Sequence, residues 1–309
     1  MIELPINPKT GRRMLVLRQS DFKQWLTDRR DFYFSVFENL EPVYPKTSVA
    51  DIGTFVHEAM KAHYLGQTDP TAAIAKLASE QCAAFPLNAS ELQGHADFAR
   101  IIMEGYLEWL EEEALDHGLK PLMVEDRITA LVGVFQDIEV YVSGAIDLLM
   151  QDDFDLIWIF DHKTVDGFKT ILATLPVDFQ GQTYDFLLRS IGITPMGFKH
   201  NQLRRVKRTA RSTPPYYNRA EVLFNATQRQ THEWHMQGIA KEIVDAYVTM
   251  STESPEHKAS TFHRLFYPFF TRDSSWKSNF LDVSIFTDTD PEAANDMLAA
   301  AYKQKESVV

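Results

Sequence analysis

The stretch GAIDLLMQDDFDLIWIFDHKT, residues 144–164, decides the fold of this chain. It holds two apolar runs rich in β-branched and aromatic residues, the pattern of buried strands. The three aspartates between the runs predict a turn. Asp147 and Asp161 instead directly follow apolar residues, and each is expected to end its strand. Because desolvating a carboxylate is costly, their placement requires a chemical reason.

A divalent metal site supplies such a reason. If the two strands are adjacent antiparallel partners, the carboxylates of Asp147 and Asp161 converge, and they repel each other unless a cation lies between them. Hard oxygen ligands favour Mg²⁺ or Mn²⁺. Lys163 follows Asp161 by two residues, so both point to the same face of a strand. Its ammonium is then expected to reach a substrate phosphate or the attacking water. Taken alone, the sequence Asp161-His162-Lys163 is also explained as the polar end of a strand that leads into a turn.

Composition sets the protein class. Of the 309 residues, 45% are hydrophobic and 24% are charged, as in ordinary globular proteins. No apolar run reaches the roughly 20 residues of a membrane span, and the N-terminal stretch lacks a signal-peptide core. A single cysteine excludes a disulfide framework. These features predict a cytoplasmic protein without membrane contact. The net charge of −12 argues against nucleic-acid binding by bulk electrostatics, but it leaves room for a local basic groove.

The pattern around the opening stretch alternates between helices and strands. Helices are predicted over residues 20–37, 49–66, 90–117, 178–192 and 226–250, with a three-strand meander before the fourth helix and a strand within 195–207. This order predicts an α/β fold with a mixed central β-sheet flanked by helices. We expect one domain over 1–309, with a helical N-terminal part (1–120), a catalytic sheet core (121–225) and a C-terminal helix and tail (226–309).

Two helical pairs add candidate residues. His57 lies one helical turn after Gly53, which is expected to let another backbone approach, and the imidazole is a candidate metal ligand. A zincin motif is excluded, because its second histidine would fall on Lys61. Gln180 and Tyr184 also lie one turn apart. Two alternatives remain open when each pair is taken alone. His57 is then an ordinary hydrogen-bonded histidine, and Gln180 and Tyr184 belong to an ordinary amphipathic helix.

A basic run lies further along the chain. Residues 199–211 contain six cations and no acid, and they form a candidate DNA-binding surface: Lys199, Arg204, Arg205, Lys207, Arg208 and Arg211. A solvated loop or strand edge is the equally open alternative.

These pieces together resemble a known family. His57, then Asp147, then Asp161-x-Lys163, then Gln180-x-x-x-Tyr184 appear in the order and spacing of the RecB-like family of PD-(D/E)XK nucleases. That family includes the RecB and AddB nuclease domains, the CRISPR-associated exonucleases and many phage recombination exonucleases. The resemblance covers about residues 50–190. It implies a restriction-endonuclease-like core.

The resemblance also implies roles for these residues. His57, Asp147, Asp161 and the carbonyl of His162 would hold the metal ion, and Lys163 would be the catalytic lysine. By the same resemblance, Gln180 and Tyr184 would orient that lysine and contact DNA. The implied chemistry is hydrolysis of a phosphodiester by in-line attack of water, assisted by Mg²⁺ or Mn²⁺.

One feature of the family is missing. Many members hold an iron–sulfur cluster with an early cysteine and a late Cys-x₂-Cys-x₅-Cys, but here Ser275, Ser278 and Ser284 stand at the late spacing. Asp28 lies near the expected early position. Thiolates hold such clusters and serine oxygens are poor ligands for them, so we expect no iron–sulfur cluster. The spacing of these serines is explained either by coincidence or by an ancestral iron–sulfur site that has lost its ligands.

The leading hypothesis is a metal-dependent DNA exonuclease that acts on linear ends or single strands in recombination, repair or phage DNA processing. One alternative is a nuclease-fold DNA-end binding or adaptor subunit of a recombination or CRISPR adaptation complex, working with a partner protein. A structure-selective endonuclease of the same fold is the other. The sequence does not determine the oligomeric state.

Overall fold

The computed structural model describes residues 1–44, 47–168, 174–209, 211–267 and 278–305. Its strands are β1 (Arg13–Arg18), β2 (Leu40–Pro42), β3 (Lys120–Phe135), β4 (Ile138–Gln151), β5 (Ile157–Val165), β6 (Gly197–Arg204), β7 (Tyr217–Leu223) and β8 (Tyr302–Gln304). Its α-helices are α1 (Gln19–Thr27), α2 (Arg29–Phe32), α3 (Ala50–Leu65), α4 (Pro70–Ala84), α5 (Ala89–Glu112), α6 (Phe179–Ser190), α7 (Ala226–Thr252), α8 (Pro255–Leu265), α9 (Leu281–Thr289) and α10 (Pro291–Ala301). In these described parts, each helix is too short or too polar to cross a membrane.

The chain divides into two compact units. The first contains Met1–Lys46, Thr129–Ser143 and Thr231–Val309, and the second contains Thr47–Ile128 and Gly144–Gln230. Strands β3 and β4 pair with each other, and the chain of each runs through both units. Their connection is a two-residue turn in which both residues have positive φ, the geometry that tight hairpins favour.

A mixed sheet forms the centre of the second unit. Strand β5 is antiparallel to β4 and parallel to β6, and β6 is antiparallel to β7. The β4–β5 register pairs Leu148 with Phe160, so the next facing positions are Asp147 and Asp161. In the parallel pair, Asp161 is aligned with His200. This register brings three polar residues to neighbouring positions on adjacent strands.

Helices cover both faces of this sheet. On one face α3, α4 and α5 pack together in a core cluster that includes Phe55, Tyr106 and Leu203 of β6. On the other, a Cβ added at Gly181 of α6 would lie 3.1 Å from the Phe198 ring. Because side chains alternate along a strand, Leu203 and Phe198 belong to opposite faces of β6. The predicted mixed sheet flanked by helices is confirmed.

The first unit has an aromatic core. Strand β1 is parallel to the first half of β4, and β2 is antiparallel to β8. Trp25 and Phe37 each contact Phe32 edge-to-face at 5.2 Å between ring centroids, and Phe37 contacts Tyr247 at 5.4 Å. Such pairs contribute about 0.5–1.5 kcal/mol each beyond the area they bury.

Most predicted helices are present, but the first is interrupted. In place of one helix over 20–37 there are α1, α2 and a π-helical turn at Tyr33–Phe37. Asp28 separates α1 from α2, and its carboxylate accepts hydrogen bonds from the backbone N–H groups of Arg30 (3.1 Å) and Asp31 (3.0 Å). This is the favoured capping role of aspartate, and it outweighs the continuous helical pattern.

The expectation that Asp147 and Asp161 end their strands is wrong. Strand β4 continues to Gln151 and β5 to Val165, so both carboxylates lie within strands. They are tolerated there because the backbone N–H of His162 donates to Asp147 Oδ2 at 3.1 Å and Asp161 has charged partners. Strands β1 and β7 were not predicted from the sequence.

Candidate metal centre and its surroundings

Three potential metal ligands converge from three elements of the second unit. His57 lies on α3, Glu125 on β3 and Asp147 on β4, and their ligand atoms all lie within 4.8 Å of one another. His57 Nδ1 is 3.5 Å from Glu125 Oε1 and 3.5 Å from Asp147 Oδ2. Carboxylate oxygens suit Mg²⁺ and Mn²⁺, and imidazole is a common metal ligand.

Glu125 was not predicted from the sequence. Its φ of 56° is in the left-handed region, which is unusual for a residue other than glycine and is often found at functional sites. The departure from extended geometry breaks the alternation of β3 at this position. The available signal was the pair Glu125-Asp126 within an otherwise strand-like pattern.

A second polar group surrounds Asp161. Its Oδ1 accepts hydrogen bonds from Lys163 Nζ and from Gln180 Nε2, both at 2.9 Å. Gln180 Nε2 also donates to the Tyr184 hydroxyl at 2.7 Å. Helix α6 therefore presents Gln180 and Tyr184 to the strand that carries Asp161 and Lys163. The four residues lie together, as the sequence pattern predicts, although their catalytic roles stay a prediction.

The close approach of α6 depends on Gly144 of β4. A Cβ at this position would lie 2.9 Å from Leu187 Cδ1 and 3.3 Å from Tyr184 Cε1. Both side chains belong to α6, so the missing methyl group lets this helix pack directly on the strand. Gly53 has no comparable role, because the atom nearest to an added Cβ is the Thr164 side-chain oxygen at 3.4 Å rather than another backbone.

The electrostatics of the two carboxylates differ. Burial and the nearby Asp161 raise the pKa of Asp147 to about 7. Burial also disfavours ionisation of Asp161, but Lys163 and His200 outweigh it and hold the pKa of that carboxyl below its ordinary value. Burial opposes the charge of Lys163, whereas Asp161 and Asp147 raise its pKa above the ordinary value. For Asp161 the nearby cations outweigh the effect of burial on the pKa, whereas for Asp147 His57 and Lys163 only partly offset burial and the charge of Asp161.

His162 is enclosed by a hydrogen-bonded chain. Arg219 Nε donates to Asn201 Oδ1 at 2.6 Å, so Asn201 Nδ2 faces His162 Nδ1 at 3.1 Å. Because guanidinium and amide NH₂ groups only donate, Nδ1 must accept and the proton is on Nε2. Asp116 anchors Arg219 at 2.7 Å, and the Tyr64 ring stacks on the imidazole. Burial holds the pKa of His162 well below its usual range, so the ring is neutral.

The residues present fit a divalent cation. Besides the three-residue group, Asp161 Oδ2 is buried and has no hydrogen-bond partner among the described residues. His200 Nε2 lies 3.3 Å from this oxygen, but the two atoms are not aligned as a hydrogen bond. A buried carboxylate oxygen that accepts no hydrogen bond from the described residues lies near Asp147, whose negative charge is not fully offset. A bound cation would stabilise both carboxylates.

A groove adjoins His57 and Glu125. Its cavity volume is about 640 Å³, within the range of small-ligand sites. One wall is a face of α3 with residues at helical spacing: Ala50, Gly53, Thr54, His57, Glu58 and Lys61. The other lining residues are Leu77, Glu125, Arg127 and Ala145. Lys61 and Arg127 are cations close to the candidate metal ligands, and neither was predicted from the sequence.

Several cations of the basic run, residues 199–211, have partners within the chain. Lys199 Nζ is 3.4 Å from Glu221 Oε2 and lies over the Trp158 ring at 4.2 Å. Arg205 and Arg208 form ion pairs at 2.7 Å with Asp166 and Glu108 respectively.

The other three cations of this run form no ion pair among the described residues, and their contacts are as follows. Arg204 donates to the carbonyls of Thr213 (3.0 Å) and Pro215 (3.1 Å). Lys207 Nζ lies 6.0 Å from the Phe98 ring centroid, and the backbone N–H of Arg211 donates to a threonine hydroxyl. Their predicted DNA contacts stay a prediction.

The serine pattern lies partly outside the described residues, since Ser275 is not among them. Ser278 Oγ donates to Asp31 Oδ1 at 2.9 Å, and the Ser284 hydroxyl is buried without a hydrogen-bond partner in the described ranges. Asp28 caps α2. The prediction that the chain holds no iron–sulfur cluster stays a prediction.

Comparison with known proteins identifies the family. The model of the PD-(D/E)XK nuclease superfamily matches residues 19–257, and the chain therefore belongs to this superfamily. Members of this class use divalent metal ions, in agreement with the donor set above. No curated protein matches the chain.

Two solved structures are similar to this chain at low sequence identity. A protein from Eubacterium rectale described as "Putative exonuclease" shares 14% identity at a TM-score of 0.45, covering 73% of this chain and 80% of that one. The protein SSO0001 shares 13% identity at a TM-score of 0.29, covering 77% of this chain and 95% of its own.

Proposed function

We propose that this protein is a metal-dependent DNA exonuclease of the RecB-like type, which hydrolyses phosphodiester bonds at linear ends or single strands. The observation that carries the proposal is the meeting of Asp147 and Asp161 on the adjacent strands β4 and β5. Asp147 accepts a hydrogen bond from the backbone N–H of His162, the residue after Asp161, and Lys163 is bound to Asp161. Membership of the nuclease superfamily supports the hydrolytic class. Recombination, repair or phage DNA processing is the proposed setting. One nuclease domain over 1–309 is part of the proposal.

In this proposal His57, Asp147, Asp161 and the His162 carbonyl hold Mg²⁺ or Mn²⁺, and Glu125 is an additional ligand. When bound, the cation lowers the pKa of water and neutralises charge on the phosphoryl oxygens. The ligand residues come from α3, β3, β4 and β5, so folding of the second unit itself assembles the site.

Lys163 supplies positive charge next to the scissile phosphate. Asp161 Oδ1 holds the ammonium at 2.9 Å, which fixes its position before substrate binds. A preorganised donor of this kind stabilises the charge that develops in the transition state. Gln180 donates to the same oxygen of Asp161, and the Tyr184 hydroxyl accepts a hydrogen bond from Gln180. Truncation of Lys163 is therefore expected to reduce kcat more than it changes binding.

The groove along α3 is the proposed path of the DNA strand. Lys61 and Arg127 contact phosphates next to the one that is cleaved, because both line the cavity together with the ligands His57 and Glu125. Arg127 and Glu125 are two residues apart in β3, a distance of roughly 7 Å along an extended strand.

The decisive experiment is the degradation of end-labelled linear DNA with Mg²⁺ or Mn²⁺ by the parent, Lys163→Ala and Asp147→Ala proteins. The parent is expected to digest linear DNA and leave closed circles intact, while both variants digest linear DNA far more slowly than the parent. Equal digestion by all three proteins would show that the site is wrong. Cleavage of circles would indicate an endonuclease, and tight end binding by a parent that does not cleave would indicate an adaptor.

A further inference from the structure

His200 is a buried imidazole that faces the candidate metal centre but has no role in the function proposed so far. It lies on β6 opposite Asp161 in the parallel β5–β6 register, and only 5% of its surface is exposed. Its Nε2 is 3.3 Å from Asp161 Oδ2, the carboxylate oxygen that accepts no hydrogen bond from the part of the chain that the structure describes. This oxygen is the one that remains for a cation, because Lys163 and Gln180 occupy Oδ1.

A chain of side-chain amides determines where the proton of His200 lies. Asn218 Nδ2 donates to Gln202 Oε1 at 3.1 Å, which leaves the Gln202 NH₂ group facing His200 Nδ1 at 3.0 Å. An NH₂ group only donates, so Nδ1 must be the unprotonated nitrogen and Nε2 carries the proton. The ionised carboxylate of Asp161 makes the same demand from the other side, because it only accepts.

We propose that His200 is a positioning residue for Asp161. The ring places Nε2–H 3.3 Å from Oδ2, an electrostatic contact that is not aligned as a hydrogen bond. It thereby restrains the carboxylate whose Oδ1 is held by Lys163 and Gln180, and Oδ2 stays able to bind a divalent cation. This inference rests on the proposed metal-dependent function. Residues that orient a ligating carboxylate in this way typically change metal affinity or activity by 10–100-fold when they are replaced.

The tautomer is directly measurable without DNA or metal. In protein labelled with ¹⁵N at histidine, the His200 resonances are identified by their loss in His200→Gln, at a pH where the ring is neutral. We expect Nδ1 to resonate as an unprotonated nitrogen and Nε2 as a protonated one. A proton on Nδ1 would overturn the proposal, because the ring would then turn a lone pair toward Asp161.

Mn²⁺ affinity tests the consequence. Glutamine places its amide nitrogen near the position of Nε2, asparagine places it near Nδ1, and phenylalanine keeps the ring shape without a donor. We expect titration calorimetry without DNA to give His200→Gln within about threefold of the parent, and a 10–100-fold loss in His200→Asn and His200→Phe. His95→Phe is the matched control, since His95 pairs with Asp51 on α3 rather than with a candidate ligand.

The possible outcomes separate this inference from the proposed function. Unchanged affinity in all three His200 variants overturns the positioning role. Equal losses in all three, including glutamine, overturn it as well, because they indicate packing rather than a donor. If the affinities follow the expected order but the parent cleaves no DNA, the proposed nuclease function fails while the positioning role stands. If the parent binds no Mn²⁺, both fail.

Discussion

The charge of Asp147, which is not fully offset, predicts that removing it stabilises the metal-free protein. The change is Asp147→Asn, which keeps the side-chain shape and an oxygen that can accept the hydrogen bond from the His162 N–H. The pKa of this carboxyl rises from 3.8 to about 7, mainly because of burial and secondly because of Asp161. Its side chain is only 6% exposed, so solvent does little to screen the effect.

The magnitude and sign follow from proton linkage. At 1.36 kcal/mol per pH unit, the raised pKa corresponds to a penalty on the order of 4 kcal/mol when the carboxyl is ionised in the folded state. Between pH 3.8 and about 7 the folded state holds a proton that the unfolded state has lost, so stability falls as pH rises. The penalty is absent below this range and complete above it.

Thermal unfolding in EDTA at a series of pH values measures the effect. Asp147→Asn is expected to match the parent near pH 4 and to exceed it by pH 8, with a Tm higher by up to about 8 °C at roughly 2 °C per kcal/mol. Added Mn²⁺ should raise the Tm of the parent only, since a ligand stabilises the state that binds it.

Asp161→Asn is the control, because its effect on the stability of the protein is expected to have the opposite sign. The pKa of Asp161 is held below its ordinary value, so its ionised form stabilises the fold above the unfolded pKa, and this contribution is lost as pH falls through the folded pKa. This variant should therefore be less stable than the parent at pH 8. A difference between Asp147→Asn and the parent that does not change with pH would refute the reasoning.

Other substitutions test separate parts of the site. Lys163→Ala should lower kcat by about 10²–10³-fold with little change in KM on linear DNA, and an unchanged kcat would contradict its role. Arg127→Gln should raise KM on linear DNA, whereas the control Arg100→Gln, an exposed arginine on α5, should leave KM unaltered. Glu125→Gln should weaken Mn²⁺ binding in calorimetry, and parental affinity would exclude Glu125 as a ligand. Gly144→Ala should reduce nuclease activity by displacing α6, to be checked against the circular dichroism of the parent.

Much of the fold is predictable because its determinants are local. The apolar runs on either side of the Asp152–Asp155 turn specify β4 and β5, and Gly66 ends α3 with a φ of 63°. Asp161 and Lys163 lie on one face because a strand has a period of two. The spacing of Gln180 and Tyr184 likewise follows from one helical turn.

The residues that could not be predicted depend on pairing between distant segments. His200 meets Asp161 only because β6 pairs with β5 in one particular register, and Glu125 reaches His57 through a left-handed backbone position. The basic run shows the same limit, since its ion-pair partners Asp166 and Glu108 lie far away in sequence. The sequence shows which residues are charged, but it does not show which residues they contact in the fold.

Gly144 gives the molecule an unusual kind of vulnerability. Damage to an enzyme is ordinarily sought among side chains that are lost, yet here the gain of one methyl group on a strand would push away the helix that carries Tyr184 and, one turn earlier, Gln180. Inactivating changes at this site therefore include additions, and a scan that only trims side chains would never detect this one.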